Sequence, residues 1–192
     1  MLVACEYSAR VREAFRALGH DAWSCDLLPS EDDSKYHYTG DVFDIMDNNW
    51  DLMIAHPPCT YLAVSGMHWT TRGFRDPKLT KDALEFVQML MDAPIGKICI
   101  ENPVSVISSR IRKPDQIVQP WHFGEDASKK TCLWLKNLPL LVASNPLPGN
   151  DKTRRANQTA SGQNKLAPSA DRWKERSRTY LGIAKAMSEQ WG

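Results

Sequence analysis

The chain has 192 residues, a net charge of +1, 42% apolar and 24% charged residues. That length suits one domain with a full hydrophobic core, and the near-neutral balance excludes a uniformly basic nucleic-acid binder, so any basic surface must be local. The five cysteines (Cys5, Cys25, Cys59, Cys99, Cys132) are odd in number, scattered and without a CxxC pair, which argues against a disulfide framework or a zinc site and points to a reducing compartment. Arg10 and Arg12 follow only a short apolar start, and no apolar run approaches a membrane span. Neither a signal peptide nor a membrane contact is expected, and the expected location is the cytoplasm.

In chain order, "MLVAC" is a short apolar run. In "EYSARVREAFRALGH" the residues Val11, Ala14, Phe15 and Leu18 recur at helical spacing, and Gly19 stands where a helix C-terminal cap belongs. "DAWSCDLL" reads as a second strand ending in Asp26, "YTGDVFDI" as a short connection, and "WDLMIAH" as a buried strand. "DPKLTKDALEFVQMLMDAP" is an amphipathic helix, "KICIENP" a further strand and "KKTCLWLKNL" another. Strands alternating with helices in this way predict an α/β fold, a mostly parallel sheet with helices on both faces. From about 145 to 172 the chain is rich in Pro, Gly, Asn and Ser and carries Lys152, Arg154, Arg155 and Lys165. This reads as a long mobile surface loop. The closing stretch returns to helical character.

Ligands of open α/β sheets bind beyond the carboxyl ends of the strands. Three groups fall there: Asp26, the "HPPC" loop from His56 to Cys59, and "ENP" from Glu101 to Pro103. Singly, each has an ordinary reading: a turn cap, a small buried thiol, a solvated acid. Together, at successive strand ends, they point to an active site. Pro57 and Pro58 lack N–H donors and fix φ, so they hold the Cys59 thiol on a stiff loop.

"DLMIAHPPCTYLAVSG" resembles the nucleophile motif of cytosine-5 DNA methyltransferases, and "IENP" resembles their Glu-Asn-Val motif. "SCDLLPS" and "GDVFDI" resemble the second and third motifs, and "FGEDASKKTCLWL" falls where the family has Gln-x-Arg-x-Arg and a strand. The resemblance covers roughly two thirds of the chain, to about Leu135. It implies a class I methyltransferase-like Rossmann-type fold, with 1–192 as a single catalytic domain of the small phage type. It also implies S-adenosyl-L-methionine as cofactor and methyl transfer to carbon 5 of cytosine in DNA. Cys59 would be the nucleophile and Glu101 the acid at ring nitrogen 3, because a thiolate adding at carbon 6 makes carbon 5 an enamine. Cofactor contacts are implied at Glu6, Tyr7 and Ser8, at Asp26 and Leu27, and at Asp41, Val42 and Pro57. Asn102 would shape the acid's loop; Lys129, Lys130 and Thr131 would meet the nucleotide, or the lysines would lower the thiol pKa.

The chain departs from the family in three places. The first motif, "VACEYSAR", has no glycine, although Ser8 and Ala9 are small. "ASKKT" offers Lys129 where an arginine fork is usual. No target-recognition domain is present; the 145–172 loop stands in its place, with Arg154 and Arg155 as phosphate contacts. In "GMHWTTRGFR", Trp69, Arg72 and Arg75 interleave an aromatic ring with basic groups, a pattern suited to stacking and phosphate contact on duplex or single-stranded DNA. Three other readings stay open: an amino-methyltransferase, modification of a free cytosine nucleotide, and an inactive nucleic-acid-binding relative. No metal is expected, and the oligomeric state is open.

Overall fold

The computed structural model describes residues 1–192. Seven strands form one sheet: β1 (Leu2–Ala4), β2 (Trp23–Asp26), β3 (His37–Thr39), β4 (Leu52–Ala55), β5 (Lys97–Pro103), β6 (Gln116–Val118) and β7 (Thr131–Lys136). Their order is β3-β2-β1-β4-β5-β7-β6. The first five run parallel, and β7 is antiparallel to both β5 and β6. The order turns back between β1 and β4, which is where open α/β sheets leave a crevice for ligand.

The buried strands divide their side chains by simple alternation. Leu2, Ala4, Met53, Ala55, Ile98 and Ile100 face one layer, which is closed by Val87 and Leu90 of α3 (Pro77–Met91). Val3, Ile54, Cys99 and Leu133 face the other, closed by Val11 and Phe15 of α1 (Arg10–Ala17) and by Ile183, Ala184 and Met187 of α6 (Leu181–Trp191). Short helices α2 (Met67–Thr71), α4 (Ile107–Arg110) and α5 (Arg172–Ser177) lie in the connections. The sheet is therefore α/β, mostly parallel and covered on both faces, as the alternation of elements predicts. No helix is long and apolar enough to cross a membrane.

Two expectations need correction. "YTGDVFDI" is not a simple connection: β3 ends at Thr39, and a 3-10 turn over Val42–Asp44 follows, capped by Asp41, whose Oδ1 accepts from the Phe43 N–H at 3.1 Å. The stretch after Asn145 is not a free loop. Leu147 N–H donates to the Trp121 carbonyl at 2.8 Å, and Asn157 joins Ser128 through both its Oδ1 and its Nδ2. Arg155, expected beside Arg154 as a phosphate contact, is 5% exposed; its guanidinium lies 4.8 Å over the Trp121 ring and 3.8 Å from Asp126. From Asn145 to Asn157 polar groups find partners on the domain, which anchors that half of the segment; beyond it the hydrogen bonds of Thr159, Gly162 and Leu166 stay within the segment. Arg154 alone of the pair stays exposed.

Candidate active site

The first site element is the β1–α1 turn. Its tightness usually asks for glycine, and this chain makes it with Cys5 at φ 58° and Ala9 at φ 61°. Each left-handed non-glycine residue costs roughly 1–2 kcal/mol. Glu6 repays part of this from within the turn. It is 3% exposed, and its two carboxylate oxygens accept from the N–H groups of Val11 (2.7 Å) and Arg12 (3.1 Å) at the start of α1. A cofactor contact is expected of Glu6; in the structure both its oxygens are engaged by the helix, where charge and dipole are matched. Burial nonetheless pushes its pKa up.

The second element is the pair of neighbouring strands β4 and β5. Asn102 Nδ2 donates to the Pro57 carbonyl at 2.8 Å, and both residues are buried. This tie joins the "HPPC" loop to the strand that carries Glu101. His56, the first residue of that loop, was not singled out from the sequence. Its Nδ1 lies 2.9 Å from Glu101 Oε2, each side chain 9% exposed, and its Nε2 is buried without a partner. The signal was a polar residue ending an otherwise apolar strand. Burial works to raise the Glu101 pKa, but the His56 hydrogen bond and the Lys129 charge outweigh it and hold the carboxyl below its ordinary 4.5.

Cys59 is the one exposed cysteine. Crowding around its sulfur pushes the thiol above its ordinary value; Lys129 opposes that shift and Glu101 adds to it. The ionised thiol that the chemistry needs is scarce in this resting arrangement. Burial pushes Cys5, Cys25, Cys99 and Cys132 up as well.

The third element is a strap formed by α5 and the residues after it. Tyr7 Oη meets Ser177 Oγ at 2.8 Å and donates to the Lys174 carbonyl at 3.0 Å; Arg10 donates to the Thr179 carbonyl at 2.8 Å. Lys129 Nζ donates to the Arg176 carbonyl at 3.0 Å, and Arg178 grips Glu31 at 2.6 and 3.1 Å. Beneath the strap is a cavity of about 40 Å³, walled by Cys5, Glu6, Tyr7, Ser8, His56, Ser177 and Thr179. A cavity of about 810 Å³ lies between α3, β5 and β7, lined by Met91, Ile98, Ile100, Arg112 and Trp134, and it contains none of the sequence-predicted site residues.

The remaining predicted residues fall in two groups. Of those expected at the cofactor, Asp26 lies at the β2 end, its pKa raised by burial, with Oδ1 accepting from the Leu28 N–H at 3.0 Å. Leu27 is 76% exposed, Val42 is buried and Asp41 faces solvent. Of those expected at the nucleotide, Lys130 pairs with Asp151 at 3.4 Å, and Thr131 is buried at the start of β7. Arg75 braces the loop after Cys59 by donating to the Thr60 carbonyl at 3.0 Å. Trp69 is 45% exposed and Phe74, which the sequence reading passed over, 69%; their rings stand 5.7 Å apart. Arg72 is exposed beside them. No group of three or more His, Cys, Asp or Glu side chains could hold a metal ion. No family model matches the chain, and no curated protein gives a match.

Proposed function

We propose that the protein is an S-adenosylmethionine-dependent methyltransferase that modifies carbon 5 of cytosine in DNA through a covalent Cys59 adduct. The observation that carries this reading is the Asn102–Pro57 hydrogen bond, which sets the thiol loop and the Glu101 strand side by side. The residues at the ends of β1 and β2 fit the cofactor in kind. Asp26 offers a carboxyl at the β2 end for ribose hydroxyls, and Tyr7 and Ser8 line the β1 turn. Glu6 already fills the helix N-terminus that dinucleotide folds leave for a phosphate. This favours a cofactor without phosphate. A ligand of that size needs a pocket of roughly 300 Å³ or more, so it enters only with the strap displaced. When bound, it supplies an electrophilic methyl group.

In this reading Trp69, Phe74 and Arg72 hold the nucleic acid by stacking and charge. The Cys59 thiol loses its proton to solvent, and its sulfur bonds to carbon 6 of the ring. Glu101 gives a proton to nitrogen 3 as electron density moves from the carbon 5–carbon 6 double bond. Carbon 5 then takes the methyl group, the donor leaving as a neutral thioether, and loses its own proton to water; as the thiolate leaves, nitrogen 3 returns its proton to Glu101. The test is incubation with DNA containing 5-fluorocytosine and S-adenosylmethionine, followed by denaturing electrophoresis. A covalent complex that needs Cys59 supports the proposal. Methyl transfer to an exocyclic amine without a complex would replace it by the amino-methyltransferase reading.

A further inference from the structure

We infer that the substrate is single-stranded DNA, held by the loop that follows Cys59 and by the strap, with its bases stacked on Trp69 and Phe74 and its phosphates met by Arg72 and Arg176. This rests on the cytosine reading and names the strand state which that reading leaves open.

Three observations carry it. The first is a pair of rings without a place in the core. Trp69 and Phe74 are 45% and 69% exposed, and neither packs with either core cluster. Their backbone holds them instead: the N–H groups of Phe74 and Arg75 both donate to the Trp69 carbonyl, at 2.8 and 3.1 Å. Arg75 ties this turn to the thiol loop, donating to the Thr60 carbonyl one residue beyond Cys59 and lying 5.6 Å over the Tyr61 ring. Rings fixed in this way and left half in solvent suit stacking on a flat partner.

The second is the distribution of cations. Lys130 pairs with Asp151, Lys174 with Asp171, and Arg178 with Glu31 and Glu175. Arg72 and Arg176 are exposed, and their guanidinium groups have neither an ion pair nor a hydrogen bond. Arg176 is set beside the site by the strap: its carbonyl accepts from Lys129 Nζ at 3.0 Å, and its charge reaches the Cys59 thiol. Free cations together with exposed rings match a chain that alternates phosphates with accessible bases.

The third is what a duplex would require. Its base edges are read by a helix or a β-ribbon set in the major groove. Beside Cys59 the chain offers α2 of five residues and α5 of six, less than two turns each. The net charge of +1 gives little pull on a duplex, which crowds one charge into about 1.7 Å of axis. A duplex also hides its base faces, so the target must be flipped out at a cost. An unpaired strand presents the cytosine ring to Cys59 without that cost.

The test uses the full chain and two readouts. Fluorescence anisotropy, without the methyl donor, compares a labelled DNA strand with the same strand annealed to its complement. The single strand should bind about 10-fold tighter or more, the duplex having to unstack before it can use the rings. Trp69→Ala and Phe74→Ala should each weaken strand binding about 5- to 150-fold with unchanged melting temperature, and Trp69→Phe should restore most of the affinity. Arg72→Gln and Arg176→Gln should each reduce the salt slope by about 0.7. Covalent trapping, with S-adenosylmethionine and 5-fluorocytosine in either the strand or the duplex, should be faster on the strand. Equal or tighter binding of the duplex overturns the inference, as does unchanged strand affinity in both alanine variants. A complex formed as fast on the duplex overturns it while leaving the cytosine reading intact. Tight, ring-dependent strand binding without any covalent complex does the reverse: the cytosine reading falls and the single-strand surface stands.

Discussion

Asn102 donates its amide to the carbonyl of Pro57 at 2.8 Å, and this bond fixes where the Cys59 loop leaves the sheet. Proline cannot donate to a ladder but can accept, so the tie uses the one polar group Pro57 has. Asn102→Ala should cost about 1–3 kcal/mol through the unpaired carbonyl. It should also lower kcat more than it raises KM for DNA. Thermal melts and steady-state kinetics check both effects; unchanged kcat would show that the tie does not position the thiol.

Cys59→Ser should keep the melting temperature, because residue 59 is exposed, yet lose turnover and covalent trapping. A serine alkoxide is far scarcer at neutral pH than a thiolate, so activity should fall by about three orders of magnitude or more. Cys5, Cys25, Cys99 and Cys132 should show stability effects alone on replacement by Ala. Near-normal turnover in Cys59→Ser would remove the nucleophile assignment.

The strap is held partly by the Arg178–Glu31 pair, which is 24% and 32% exposed. Partly exposed pairs of this kind contribute at most about 1 kcal/mol. Arg178→Ala should therefore raise the association rate of S-adenosylmethionine by about 2- to 5-fold, because a larger fraction of molecules is open. Stopped-flow fluorescence of nearby Trp173 gives the measurement. A slower association would mean that the strap helps to capture the ligand instead of blocking it.

Two small-residue positions should respond in opposite directions. Ala9 is held at φ 61°, so Ala9→Gly should be stabilising or neutral, gaining up to about 1 kcal/mol from relieved strain. A Cβ on Gly182 would lie 2.2 Å from the Phe123 carbonyl oxygen. Gly182→Ala should cost about 2–3 kcal/mol, within the range for overpacking, and should loosen α6 from the sheet. Urea titrations of both variants check this pair.

Stability should peak in mild acid. Burial raises the pKa values of Glu6, Asp26 and Glu125 above their ordinary 4.5, 3.8 and 4.5. The folded chain then binds more protons than the unfolded chain above those values, so stability rises as pH falls from neutral. Glu101, Asp32 and Asp115 behave oppositely. Although burial would raise each, His56 with Lys129, Arg12 with Ser30, and the Leu135 N–H with Arg112 hold them low. Their contribution is present at neutral pH and lost as pH falls through about 4 and below. Melting temperatures measured from pH 7.5 to 3 should rise, then drop. A steady decline from neutral would contradict the raised carboxyl groups.

The sequence alone determined the elements with strong periodicity. Val11 and Phe15 announce α1, and the apolar runs at Leu52 and Lys97 announce the central strands, because burial on one or two faces leaves a regular pattern. It also placed Cys59, Glu101 and Asp26 at strand ends, since strand ends are where such patterns stop. The three-residue strands β3 and β6 were beyond it, being too short to carry a period and defined by their neighbours. Only the tertiary structure decided that Glu6 turns inward to cap α1, that Arg155 lies buried over Trp121, and that Arg172 to Thr179 close over the β1 turn. It alone brought His56 to Glu101. A polar side chain's role depends on which partner is within about 3 Å, and chain folding over long sequence separations sets that distance.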